Sequence, residues 1–140
     1  MKLHNSSTEC IIFLLGKAYQ KSHGIFKQHL VPFGITNMQH LILEALWVEN
    51  GMTAAELSKQ LVLDKATLSG GLDRMVDSGW VKKQKDKKDG RVVRLFTTKK
   101  ADEIKDELIN ARKEANELIM EKFSVEEKIL LKRLLLDLLD

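Results

Sequence analysis

The sequence has one cysteine (Cys10), one proline (Pro32) and one tyrosine (Tyr19). A lone cysteine excludes an internal disulfide and fits a reducing compartment. With one proline in 140 residues and only 6% aromatics, little interrupts helices and little favours long strands. No apolar run approaches the ~20 residues that a membrane span needs; Thr8–Leu15 is far too short. The charged, then apolar, then small-residue order of a signal peptide is also missing, so the protein is expected in the cytoplasm.

What is present describes a globular chain, 44% hydrophobic and 31% charged, of a length that suits one compact domain. The formal net charge of +3 says little, but its distribution says more. Between Val81 and Arg94 stand Lys82, Lys83, Lys85, Lys87, Lys88, Arg91 and Arg94 against Asp86 and Asp89 alone. From Ala101 onward, 11 acidic residues outnumber 7 basic ones. A local basic patch on a neutral-to-acidic body is an electrostatic footprint for a polyanion.

Periodicity predicts six helices and one hairpin. The first helix runs from about Ser7 to Leu30 and ends at Pro32 and Gly34. The second opens at Thr36, where Thr36 and Gln39 form a capping box, and buries Met38, Leu41, Ile42, Ala45, Leu46 and Trp47. A short third helix opens on Thr53 and Glu56, the same device. Asp64 caps a fourth, which Gly79 ends as a left-handed C-cap. Two β-rich runs follow, Trp80–Lys85 and Val92–Thr97, joined by a charged tip. The fifth helix carries Ile104, Leu108, Ala111, Ala115 and Leu118. The sixth opens on a third capping box, Ser124 and Glu127. Leu134–Leu139 is apolar except for Asp137, more than one neighbouring helix would cover, which points to burial between two subunits.

A short helix, a tight connection, a longer helix and then a basic hairpin is the order of a winged helix-turn-helix. In that geometry the second helix enters the major groove, and the hairpin follows the backbone or reaches the minor groove. Leu68, Leu72, Met75 and Val76 fall on the inward face of the second helix. On the other face, Ala66 and Gly70 let the backbone approach base edges, while Lys65, Thr67 and Ser69 offer phosphate or base contacts near the helix N-terminus. Arg74 is placed for a guanine or a phosphate. Asp73 and Asp77 would repel phosphate unless paired with Arg74 or a neighbouring lysine. Gly70 and Gly71 in mid-helix each cost about 1 kcal/mol relative to alanine.

At these residues the sequence resembles the MarR family of bacterial transcription regulators, from Met52 to Ile104. The motifs are Glu56-Leu57, Thr67-Leu68-Ser69, Leu72-Asp73-Arg74, Gly79-Trp80-Val81, Asp89-Gly90-Arg91 and Leu95–Thr97. Each is weak alone; their order and spacing are specific. The resemblance implies a mainly α fold with a small β-hairpin wing, dimerised through its N- and C-terminal helices. Residues 1–35 and 99–140 would supply those helices and 36–98 the winged lobe. It further implies that Arg91 enters the minor groove with Asp89 holding it, beside Lys87 and Lys88. Two departures stand out: Gly70, where the family often has a basic or bulkier residue, and Phe96-Thr97-Thr98 in place of L-T-x-x-G.

Regulators of this shape usually hold an effector, and the residues expected to line its pocket are Tyr19, His23, Phe26, Lys27, Met38, His40 and Trp47, with core packing as their alternative role. His23 and Lys27, one turn apart, suit the carboxylate of an aromatic or fatty acid or its CoA thioester. A peroxide-sensing cysteine in the family's first helix would fall near Ile12 rather than Cys10, so Cys10 is expected to be an inert buried thiol, with a redox-sensing regulator acting through Cys10 as the alternative. His23, His29, His40 and Cys10 lack HxxxH or CxxC spacing, and no metal or cofactor is expected. Without a phosphate loop, activated nucleophile or paired carboxylates, an enzyme is not expected. A winged-helix protein-interaction module is the stronger rival, and the basic cluster from Lys82 to Arg94 weighs against it.

Overall fold

The computed structural model describes residues 8–140; Ser7, the expected first residue of the first helix, lies outside them. Helix α1 (Ile11–Leu30) ends with Lys27 and His29 in its last turn, where positive charge meets the carbonyl end of the helix dipole. Pro32 then sits in a single 3₁₀ turn, Val31–Phe33, where its missing N–H costs nothing, and Gly34 closes that turn at φ 65°.

Helix α2 (Asn37–Val48) starts on the Thr36 box: the Gln39 N–H donates to Thr36 Oγ1 at 3.2 Å and the Thr36 N–H to Gln39 Oε1 at 2.9 Å. Its inward face is turned slightly from the expected stripe. Gln39, Ile42, Leu43 and Leu46 lie inside, spaced three and four apart, while Leu41 is on the exposed side. Helix α3 (Ala54–Leu61) begins on the Thr53 and Glu56 box and ends at Val62, which takes the left-handed conformation at φ 52°, ψ 47°. Helix α4 (Lys65–Asp77) follows, capped by Asp64 and packed on α2 and α3 through Leu68, Leu72 and Met75. Gly71 lies against the end of Met38: a β-carbon there would stand 2.2 Å from Met38 Cε, so the methionine's flexible end would have to shift.

Gly79, at φ 79°, ends α4 and turns the chain into an antiparallel hairpin of β1 (Val81–Lys85) and β2 (Val93–Thr97), registered from Val81↔Thr97 to Lys85↔Val93. Beyond this pair, β2 is fastened to the α2–α3 connection. The Gly51 N–H donates to Leu95 O at 2.9 Å, the Leu95 N–H to Met52 O at 2.8 Å, and the Thr97 N–H to Asn50 Oδ1 at 3.1 Å. Thr98 caps the next helix, α5 (Lys99–Glu103). The expected fifth helix is divided at Ile104, whose N–H turns back to Ala101 O, so α6 (Lys105–Ile119) is separate. With α7 (Val125–Leu139), opened by the Ser124 box, the described residues hold seven helices rather than six.

The chain divides into two compact units. One is Leu30–Asn110, and all the largest fully buried side chains lie in it, among them Ile42, Leu46, Leu57, Leu68, Met75 and Leu95. The other takes the described chain up to His29 together with Ala111–Asp140. Its helix α7 leaves Ile129, Leu134, Leu138 and Leu139 exposed, at 66%, 49%, 62% and 82%. Among the described residues no helix is long and apolar enough to cross a membrane.

Candidate nucleic-acid interface

The outward face of α4 follows from the same periodicity that buries Leu68, Leu72 and Met75. Lys65, Ala66, Thr67, Ser69 and Arg74 are exposed, and Gly70 is half-buried with open space where a β-carbon would go. The N-terminus of α4 is not bare. Asp64 Oδ1 accepts the Thr67 N–H at 2.8 Å and Asp64 Oδ2 the Thr67 hydroxyl at 2.6 Å. These two bonds hold the Asp64 carboxyl below its ordinary range. The Thr67 hydroxyl therefore has its proton already committed to Asp64 and keeps only acceptor capacity toward solvent, and the carboxylate partly offsets the attraction of the helix dipole for anions. Asp73, which threatened to repel phosphate, is paired with Lys83 Nζ of β1 at 3.0 Å.

The wing is ordered by two acidic residues. Asp89 accepts the Arg91 N–H at 3.1 Å and, through the same oxygen, the guanidinium Nε–H at 3.2 Å. Arg91 is 91% exposed while this geometry holds its direction. Asp86 counted in the sequence only as a negative charge in the basic stretch. Its Oδ1 accepts the N–H groups of Lys88 at 2.7 Å and Asp89 at 3.1 Å, and its Oδ2 accepts Arg94 Nε–H at 2.5 Å. Arg94 in turn donates through Nη1 to Gly51 O at 2.9 Å. The Arg94 guanidinium, and then the two tip N–H groups, pull the Asp86 carboxyl down to about 2. Lys87 and Lys88 stand exposed on the tip.

The residues expected to line an effector pocket fall in both units. On α1, the Tyr19 and His23 rings stack at 5.4 Å, Tyr19 is exposed, Phe26 is half-buried and Lys27 is exposed. On α2, Met38 packs against Gly71, and Trp47 Nε1–H donates to Asp102 Oδ1 at 3.0 Å. His40 is buried, only 2% exposed, with Nε2 3.2 Å from Glu44 Oε1. Cys10 is exposed, not buried, and the first residues of α1 beside it, Ile11 and Ile12, are exposed as well.

A cavity of about 420 Å³ that the sequence did not reveal lies within the Leu30–Asn110 unit. Ala54, Ala55, Leu68, Leu72, Val93 and Leu95 make its apolar wall, and Lys65, Ser69 and Lys83 supply its polar groups. Its residues come from α3, α4 and both strands, so hydropathy along the chain could not have assembled it.

Comparison with known proteins settles the kinship. The HTH-type transcriptional repressor NicR of Pseudomonas putida is 30% identical over 133 residues, 95% of this chain and 84% of NicR. The chain belongs to the MarR family. The family's own pattern matches residues 35–93, the stretch from the end of the 3₁₀ turn to the start of β2. The HTH-type transcriptional regulator TtmR of Methylorubrum extorquens is 36% identical over 75 residues, and the chain spans only 38% of its length. Among solved structures, a cysteine-to-serine mutant of Escherichia coli MarR complexed with operator DNA is similar at a TM-score of 0.84, with 26% identity and 91% of each chain covered. The protein is thus a MarR-family transcription regulator with a DNA-binding winged helix.

Proposed function

We propose that this protein is a homodimeric repressor that grips a pseudo-palindromic operator and releases it when a small effector binds. The observation that carries the DNA-contact part is the placement of Lys65, Ser69 and Arg74 on the outward face of α4, beside a wing tip that presents Arg91, Lys87 and Lys88. α4 enters the major groove, with Ala66 and Gly70 nearest the bases. Arg91 enters the minor groove, and the lysines meet phosphate. Repression accords with NicR, a repressor by name. The dimer follows from the apolar side chains that α7 leaves uncovered.

The effector is best seated in the lobe cavity, whose volume of about 420 Å³ suits an aromatic or short acyl acid and is too small for a whole CoA thioester. Lys65 and Ser69 line that cavity and also belong to the α4 face, so an occupied cavity withdraws two DNA contacts. The ligand would then weaken DNA binding by its preference for the DNA-free state. The stacked Tyr19 and His23 with Lys27 on α1 offer a second aromatic-plus-cation seat. Loss of the response in Lys83→Ala but not in Lys27→Ala would choose the cavity.

The test is a gel shift on fragments of the promoter region beside the protein's own gene, at two salt concentrations with random DNA as competitor. A discrete shift that resists competitor and weakens steeply with salt is expected. Salt-insensitive binding, or none to any fragment, would favour a protein-interaction module. Arg91→Ala is expected to weaken binding roughly tenfold across sequences; unchanged affinity would remove the wing from the interface.

A further inference from the structure

An acidic side chain in a basic DNA-binding wing should hinder binding, and Asp86 lies among Lys85, Lys87 and Lys88. Its geometry assigns it another role. One carboxylate oxygen collects the backbone N–H groups of Lys88 and Asp89, fixing the tip; the other takes Nε–H of Arg94 on β2. Arg94 is anchored in turn at Gly51 O, in the connection to which β2 is already fastened. From the tip, Asp89 holds Arg91 by its N–H and Nε–H. A series of hydrogen-bonded residues therefore runs from the lobe to the exposed Arg91. Arg94 itself is only 37% exposed, with its fork divided between two acceptors.

We propose that Asp86 and Arg94 form a clasp that presets the wing tip, so that the acidic Asp86 is required for tight DNA binding and Arg94 serves the tip through Asp86 rather than by meeting phosphate. The clasp costs the wing one positive and one negative charge that could otherwise have acted on DNA, and returns a tip that does not have to be ordered on binding. It rests on the wing contacting DNA, as proposed above.

Two substitutions separate the clasp from plain electrostatics because the two accounts predict opposite signs. Removing a negative charge in Asp86→Asn strengthens binding if charge alone matters; the clasp requires roughly tenfold weaker binding. Keeping the positive charge in Arg94→Lys preserves binding if Arg94 meets phosphate. The clasp requires a loss close to that of Asp86→Asn, since an ammonium cannot reproduce the fork that spans Asp86 and Gly51. The double variant should be no weaker than the worse single one. Binding would be followed by fluorescence anisotropy on a duplex selected in vitro by the unaltered full chain, over a salt series. The slope of log affinity against log salt should stay the same in Arg94→Lys and Arg94→Met, whereas a lost phosphate contact in Arg94→Met would lower it by about 0.9.

Amide hydrogen exchange on the DNA-free protein reads the clasp independently of the wing's role. Lys88 and Asp89 should exchange faster in Arg94→Lys, although Arg94 touches neither amide. Unchanged exchange there, or equal or tighter DNA binding by Asp86→Asn, would overturn the clasp. If Arg91→Ala binds normally while the two amides still loosen, the clasp stands as a feature of the free wing, its requirement for DNA binding is overturned, and the failure lies with the wing as a DNA contact.

Discussion

At Asp86 one carboxylate meets three donors, and that density has a measurable consequence. Held at about 2 against an ordinary 3.8, it favours the folded wing wherever it is ionised. A depressed carboxylate contributes fully above its unfolded value and loses that contribution as pH falls through its folded one. The wing tip should thus stay ordered down to about pH 4 and loosen between about pH 4 and pH 2. The Lys88 and Asp89 amide resonances, followed in an acid titration, should share a midpoint near the lower limit; a midpoint near 4 would mean Arg94 does not hold the carboxylate. The adjacent glycines of α4 make a second contrast. Gly70 has room for a side chain, so Gly70→Ala should stabilise by up to about 1 kcal/mol in thermal unfolding. Gly71→Val must push Met38 aside and should cost about 1–3 kcal/mol. Helix propensity assigned both glycines the same cost, and only the packing of α2 shows that one has room for a side chain and the other does not.

Elements were legible where their signals were local. The boxes at Thr36, Thr53 and Ser124 each need only a residue three positions on, and all three form. The wing clasp was not legible, because Arg94 is brought to Gly51 by strand register across 43 positions. The inward face of α2 was misjudged at Leu41 and Leu43 for a related reason: an apolar run on a largely buried helix fits several faces, and its neighbours decide. The α3–α4 turn hides a strained residue, Val62, whose β-branched side chain occupies a left-handed backbone. Val62→Asn should raise the unfolding temperature by several degrees, equivalent to about 1 kcal/mol, with the exposed side chain losing no packing. A lower temperature would show that the turn needs Val62 itself. At the other end of that turn, Asp64→Ala should cost about 1 kcal/mol through loss of the cap. DNA affinity should fall less than stability alone suggests, since a carboxylate leaves the interface with it.

For the whole molecule the decisive quantity is the number of chains. The family and its winged-helix character could be named from motif order between Met52 and Ile104, and the comparisons agree over 95% of the chain. The effector could not be named, because the cavity's walls come from four elements, none of which has the pocket as its own pattern. A dimer covering α7 predicts that native mass spectrometry gives twice the 16.0 kDa chain mass. Leu134→Asp should shift that mass toward the monomer; a monomeric unaltered protein would remove the two-fold operator with it. The open space at Gly70 also bears on descent. A residue on the proposed DNA-facing side of α4 that supports no neighbour and sits in ordinary helical backbone can mutate without unfolding its bearer. A duplicated gene could therefore acquire a new target site through a single codon, while the wing and core were inherited unchanged.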